Sequence, residues 1–271
     1  MKIYFTKMHG CGNDYVYVDC FEKEPEDPEE IAIAVSPRHF SVGSDGLILV
    51  CRSDIADAKM RMFNADGSEG RMCGNGIRCV GKFVYDNGLC KKTELDIETL
   101  SGVKHLSLKL DEKGEVGSVT VDMGRAEIIQ KGLAVNVLGA EYAMTRVSVG
   151  NPHAVTFVED VKGLDLEKIG PLFENNQAFG ERVNTEFVRV IDRNTLEMRV
   201  WERGSGETFA CGTGACATVA AAIANGYCRF GEPVTVKLLG GDLTITVDGD
   251  MNVLMTGEAV KAYEGVFEYE R

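Results

Sequence analysis

Basic charge is scarce in this sequence: 29 Lys and Arg stand against 42 Asp and Glu, a formal net charge of −13 over 271 residues. Nucleic-acid binding needs clustered Lys and Arg for phosphate contacts, so the composition excludes that class and fits an ordinary soluble surface. Nor is a secretory leader expected from the N-terminal segment. Met1 to Val18 carries Lys2, Lys7, His9 and Asp14 through its apolar positions, which leaves no hydrophobic core for a signal peptide. No long hydrophobic run is present. The longest uncharged stretch, Phe209 to Cys228, is interrupted by Thr208 at its edge and by Thr213, Thr218 and Asn225 within it. It reads as a buried helix rather than a membrane span. There is no C-x-x-C pair, and the four histidines (His9, His39, His105, His153) are scattered, so a structural zinc site is not expected. Nine cysteines, an odd number, without a secretory leader are expected to be reduced thiols in a cytoplasmic protein. No lysine motif for pyridoxal phosphate is apparent, and no metal or other cofactor is implied.

What the chain does have is a repeat. Cys73 begins CGNGIRCVGKFVYDNG and Cys211 begins CGTGACATVAAAIANG, an offset of 138 residues. In that register Gly74 matches Gly212, Gly76 matches Gly214, and Asn87-Gly88 matches Asn225-Gly226. Upstream, Gly12-Asn13 matches Gly150-Asn151, and Arg61 to Asn64 matches Arg199 to Glu202. Downstream, Leu100 and Gly102 align with Leu238 and Gly240, and Met123 to Ala126 resembles Thr256 to Ala259 at a shifted offset of 133.

Each copy reads as strands plus one central helix. Tyr15–Val18, Leu47–Val50, Met60–Phe63, Ala154–Val158, Phe187–Ile191 and Leu196–Trp201 have strand composition. A helix follows each CGxG and stops at Asn-Gly. The second, Thr213 to Ala224, has no charge on any face and must be buried. Amphipathic helices are expected at Pro28–Val35 and Leu166–Phe173. The predicted fold is α+β: two pseudo-symmetric lobes, each a curved, mostly antiparallel sheet around a central helix. The expected division is 1–125, completed by 259–271, and 126–258, with the active site at the lobe interface.

Cys73 and Cys211 carry the chemistry. Each precedes a helix, where unpaired backbone N–H groups and the positive dipole end gather. Such a position is expected to lower a thiol's pKa and to bind an anion such as a substrate carboxylate. Two thiols on opposite sides of one α-carbon would form a two-base racemase: a thiolate removes the proton and the opposing thiol returns one to the other face. Cys79 and Cys216 lie past the first helical turn and read as core; Cys11, Cys20, Cys51, Cys90 and Cys228 read as structural. The polar residues Asn13, Asn64, Asn151, Asn184, Glu202 and Arg203 are candidate substrate ligands, with Arg203 suited to a carboxylate and Glu202 to an ammonium group. His153, two residues past Asn151, is a candidate for tuning a thiol's pKa, as is Glu202.

KMHGCGNDYVYVD, FNADGSEGRMCGNGIRC, GNPHAV, ERVN and ERGSGETFACGTGACA resemble the motifs of the diaminopimelate epimerase family, in that family's order and over nearly the whole chain. The resemblance implies an isomerase, independent of metal and cofactor, that interconverts LL- and meso-diaminopimelate in lysine and peptidoglycan precursor synthesis. It also implies that Gly74, Asn75, Gly212 and Thr213 hold the reacting carboxylate. Proline racemases and hydroxyproline epimerases share the fold but typically carry CGHG where this chain has Asn75, and related racemases act on other amino acids such as histidine. A homodimer acting on a small amino acid is the expected state. Three departures from the family pattern stand out: Gly46 where some members have Gln, Cys11 where Leu is usual, and Glu258 where Pro is common.

Overall fold

The computed structural model describes residues 1–270, which form two compact units. The first comprises Met1–Val121 and the segment from Gly257 onward; the second is Asp122–Thr256. In chain order the first unit contains β1 (Lys2–Gly10), β2 (Asn13–Cys20), α1 (Pro28–Val35), β3 (Gly46–Cys51), β4 (Ala58–Asn64), β5 (Glu69–Gly70), α2 (Gly74–Asp86), β6 (Glu94–Thr99), β7 (Gly102–Leu110) and most of β8 (Val116–Arg125). The second contains β9 (Glu127–Val137), β10 (Ala140–Ser148), β11 (Pro152–Phe157), α3 (Leu166–Glu174), β12 (Asn184–Asp192), β13 (Thr195–Glu202), β14 (Gly206–Glu207), α4 (Gly212–Ala224), β15 (Val234–Leu238), β16 (Gly241–Val247) and most of β17 (Asn252–Glu258). The last strand, β18 (Val260–Glu268), pairs with β1 and so belongs to the first unit.

The repeat seen in the sequence is a repeat of topology. In the first unit β18, β1 and β2 run antiparallel, β2 and β3 parallel, β3 and β4 antiparallel, β4 and β6 parallel, and β6, β7 and β8 antiparallel. In the second unit β9 to β13, β15, β16 and β17 follow the same sequence of senses. The register matches too: Tyr17 pairs with Ile48, and Val155 with Glu186. The sheets are mostly antiparallel, with two parallel pairs in each. One alignment is corrected. The hairpin turn Thr99–Gly102 corresponds to Leu238–Gly241, so Gly102 matches Gly241 rather than Gly240. The second copy has one extra residue between its helix and that hairpin.

Each central helix is wrapped by the strands of its own unit. α2 packs against β1, β2, β3, β4 and β7, and α4 against strands from β9 to β16. The strand beside the helix shows why. β3 reads Gly-Leu-Ile-Leu-Val-Cys and is buried at every position. Leu47, Leu49 and Cys51 join the cluster with α1 residues Ile31, Ala32 and Val35, while Ile48, on the opposite face, meets α2 at Gly76. A strand covered on both faces loses the polar alternation of a half-exposed one. Full burial of each such aliphatic side chain contributes about 1.5–3 kcal/mol. α4, as expected from its lack of charge, is buried along nearly its whole length. α2 buries two cations instead: Lys82 donates to Val116 O at 2.7 Å and pairs with Asp86, and Arg78 is wholly buried. Among the described residues no helix is long and apolar enough to cross a membrane.

Candidate active site

The two cysteines occupy the same local structure. Cys73 is the N-cap of α2, with φ −126° and ψ 121°, and its sulfur accepts from Gly76 N–H at 3.4 Å. Cys211 is the N-cap of α4, with φ −120° and ψ 111°, and accepts from Gly214 N–H at 3.3 Å. Helix N-caps are ordinarily Ser, Thr, Asp or Asn. A sulfur is a poorer acceptor there, and both copies keep it. Cys79 and Cys216 are fully buried within the helices, as read from the sequence.

Around Cys73 the partner is Asn13. The thiol donates to Asn13 Oδ1 at 3.1 Å, and Asn13 Nδ2 donates to Asp45 Oδ2 at 2.7 Å. Asp45 is in turn gripped by Arg38, which also bonds Asp14, and Lys7 pairs with Asp14. Burial pushes the Asp14 carboxyl up, but hydrogen bonds and charge from Arg38 and Lys7 outweigh it and leave the group below the usual carboxylate range. Asp45 and this network were not singled out in the sequence; an SDG triplet looks like a turn and nothing more. Asn75 is buried, and its Oδ1 accepts from Arg78 Nη1 at 3.1 Å. Arg78 also donates to Gly74 O, to Glu258 O and to the Cys11 sulfur, so Cys11 and Glu258, two of the departures, both lie on one buried guanidinium.

Around Cys211 the arrangement is different. Thr213 Oγ1 lies 3.6 Å from Sγ and accepts from Asn151 Nδ2 at 3.3 Å. Asn151 Oδ1 faces His153 Nε2 at 3.0 Å, and His153 Nδ1 faces Glu186 Oε1 at 2.6 Å. Glu186 is a second residue the sequence reading missed. It lies in the middle of a strand, and only the β11–β12 pairing brings it to His153. Glu202 Oε1 accepts from the Thr208 hydroxyl at 2.6 Å.

One expectation fails at Cys211. The helix N-terminus was expected to lower the thiol pKa, yet the group is raised well above its ordinary value. Burial is the largest cause, followed by the neighbouring carboxyl groups of Glu202 and Glu186, which oppose a thiolate to the extent that they are ionised; the hydrogen bonds from Thr213 and Gly214 N–H act the other way and lose. Charge stabilisation at a helix end is typically below about 2 kcal/mol, whereas full burial can move a pKa by about 3–5 units. Cys211 therefore rests as a neutral thiol near pH 7.

The remaining sequence candidates sit at strand ends. Asn184, at the start of β12, donates to Pro152 O at 3.2 Å and accepts the Arg203 backbone N–H at 2.9 Å. Arg203 is exposed. Its loop is held by Glu174, which accepts from Gly204 N–H, Arg182 and Trp201 Nε1. Asn64 ends β4 and donates to Ser68 Oγ at 3.0 Å. Gly46, the third departure, cannot carry a side chain: at φ +155° a Cβ there would stand 2.0 Å from Phe63 O. In the second unit a recess of about 260 Å³ is lined by Arg146, Asn151, His153 and Glu181 among others. A larger one of about 570 Å³, lined by Phe157, Arg189 and Tyr227, contains none of the candidate residues, so its size says nothing about the chemistry.

The fold has solved counterparts. A phenazine biosynthesis protein of the PhzF family from Bacillus anthracis superposes with a TM-score of 0.78 at 18% identity, covering 99% of this chain and 100% of that one. A hydroxyproline epimerase from Agrobacterium vitis, with bound trans-4-hydroxy-L-proline, does so with 0.75 at 15% identity, covering 98% and 92%. The doubled unit, with a cysteine capping each central helix, thus has the fold of these proteins and of a probable proline racemase. Sequence shows the family. The profile described as diaminopimelate epimerase matches residues 5–129 and 145–262. Curated diaminopimelate epimerases from Acetivibrio thermocellus and Methanococcus maripaludis are each 53% identical, over 96% of this chain and 97% and 98% of theirs. One from Bacillus cereus is 48% identical over 98% of this chain and 97% of its own length. The chain belongs to the diaminopimelate epimerase family.

Proposed function

We propose that this protein interconverts LL- and meso-2,6-diaminopimelate by proton transfer at one α-carbon, using Cys73 and Cys211 as the two acid–base groups and no cofactor. The observation that carries the reading is the duplicated cysteine N-cap in a chain about half identical, end to end, to curated diaminopimelate epimerases. In each direction one sulfur, as thiolate, takes the α-proton. The other, as thiol, delivers its proton to the opposite face, and the two exchange protonation states in the turnover. The carboxylate on the reacting carbon gains negative charge as the proton leaves. The N–H groups of Gly74, Asn75, Gly212 and Thr213 are suited to stabilise it, because helix N-termini direct backbone N–H groups and the positive dipole end at an anion. Arg203, with Asn64, Asn151 and Asn184, recognises the distal amino-acid head, and Glu202 an ammonium group. His153 and Glu202 tune the Cys211 thiol. The protein works in the cytoplasm, where its nine cysteine thiols stay reduced, and as a homodimer, the commonest oligomer of soluble enzymes.

The test is turnover of LL-diaminopimelate in deuterated water without added metal or cofactor, against a panel of other amino acids that includes proline, hydroxyproline and histidine. Deuterium at the inverted α-carbon of diaminopimelate alone is the expected result. Faster inversion of another amino acid would move the protein to a different racemase on the same fold.

A further inference from the structure

The buried pair His153 and Glu186 has no counterpart in the other copy of the repeat. At the matching positions the first unit carries Tyr15 and Ile48, in the same parallel pairing. The local packing is otherwise the same. A methyl group on Gly76 would stand 2.9 Å from Ile48 Cδ1; one on Gly214 would stand 2.8 Å from Glu186 Oε1 and 3.2 Å from Cys211 Sγ. An isoleucine thus fills this strand-to-helix position in one unit of the same chain, and packing alone does not call for a carboxyl group in the other. Both side chains of the pair are 0% exposed. Burying ionisable groups is costly, so the pair needs another reason to be there.

The hydrogen bonds assign the protons. Asn151 Nδ2 donates to Thr213, which turns the amide oxygen toward His153. An amide oxygen only accepts, so His153 Nε2 carries a hydrogen. One further proton lies between Nδ1 and Glu186 Oε1. The other carboxyl oxygen, Oε2, is buried and has no hydrogen-bond partner among the described residues. An ionised carboxylate would leave charge on that bare oxygen, with Glu202 also acting on the group. The carboxylic acid does not. Burial, the largest influence on Glu186, pushes its pKa in the same direction. The titratable groups around the pair are Cys211 on α4 and Glu202 on β13; α4 itself carries no charged residue.

We propose that Glu186 is a positioning residue for Cys211: as a neutral acid it donates Oε1–H to His153 Nδ1, fixes the Nε2–H tautomer, and aligns the Asn151–Thr213 relay on the sulfur. Thr213, receiving the Asn151 N–H, keeps its own hydroxyl hydrogen for the Cys211 thiolate when that forms. The neutral acid also spares the thiolate a second anionic neighbour across Gly214. The device serves Cys211 alone, since Cys73 is held directly by Asn13. This inference rests on the assignment of Cys211 as an acid–base group, but its test does not depend on turnover.

Two measurements on the full chain test it. The ¹⁵N NMR signals of His153 in the unmodified protein report which ring nitrogens bear hydrogen between pH 6 and 8. A protonated Nε2 beside an unprotonated Nδ1 is expected; two protonated nitrogens would overturn the neutral pair. Alkylation by iodoacetamide, read peptide by peptide, reports thiolate at Cys211 and Cys73 separately. Glu186→Ile copies the first unit and is expected to fold with an undiminished Tm. It should lower Cys211 alkylation at neutral pH by about tenfold, the equivalent of one pKa unit, and leave Cys73 unchanged. Glu186→Gln, whose amide can donate to Nδ1, should recover most of that loss. Wild-type Cys211 reactivity in Glu186→Ile, or equal damage in both variants, would refute the role. Absence of diaminopimelate turnover in the unmodified protein, with the NMR and alkylation results as expected, would count against the proposed function instead.

Discussion

The Cys73 thiol donates to Asn13 Oδ1 at 3.1 Å, and Asp45 holds the other end of the same amide at 2.7 Å. The carboxylate fixes which way the amide faces, because only Nδ2 can donate to it. Asp45→Ala releases that constraint. Hydrogen bonds to charged groups contribute about 1.5–3 kcal/mol, so kcat/KM is expected to fall roughly ten- to a hundredfold. Asp45→Asn, which can still accept from Nδ2, should lose less. Steady-state kinetics of the two variants decide this, and an unaffected Asp45→Ala enzyme would remove Asp45 from the site.

Either cysteine should be indispensable. Cys73→Ala and Cys211→Ala each remove one of two groups needed in every turnover, and epimerisation should fall to background. Serine keeps the shape but is a far weaker acid. General acid–base catalysis typically contributes about 10²–10⁴-fold, and Cys→Ser variants are expected to lose at least that much. Calorimetric binding of diaminopimelate to the serine variants should persist, separating lost chemistry from lost affinity.

Arg203 is exposed while its loop is anchored through Glu174. Removing an exposed guanidinium should leave Tm nearly unchanged. With Arg203 as the ligand of the distal carboxylate, Arg203→Ala is expected to cost about 2–5 kcal/mol in kcat/KM for diaminopimelate. Normal kinetics in this variant would assign the distal head to other residues.

Acid should loosen the second unit through Glu174. Burial raises this carboxyl, but hydrogen bonds from Trp201, Arg182 and Gly204 N–H outweigh it, and the folded-state pKa lies below 4.5. A depressed pKa contributes stability that is fully present above the unfolded value and is lost as pH falls through the folded one. Urea titrations between pH 7 and 3 should therefore show a loss setting in below about pH 4.5. Glu174→Gln should be less stable at pH 7 and show a shallower acid limb. Parallel curves for the two proteins would contradict the linkage.

The backbone has closed around Gly46. A Cβ would lie 2.0 Å from Phe63 O. Gly46→Gln is expected to destabilise the first unit, since forced overpacking costs about 1–3 kcal/mol and here meets backbone. It should not improve diaminopimelate KM. Thermal unfolding and kinetics on the same preparation test both halves.

Much of this was legible without coordinates. The CGxG repeats, the helices after them, the limits of α1 and the buried character of α4 follow from periodicity, capping residues and composition, all of which are local in sequence. The duplication also matched strand to strand, because an offset held over most of each half is a strong constraint on topology. What tertiary structure alone decided is which side chains meet. Glu186 reaches His153 only because β11 and β12 pair in parallel across a 33-residue separation, and Asp45 reaches Asn13 across 32. No local pattern marks either partner. Tertiary structure also decided the sign at Cys211. The sequence shows the helix end that favours a thiolate, but not the depth of burial or the two carboxyl groups beside it, and desolvation depends on everything packed around the sulfur.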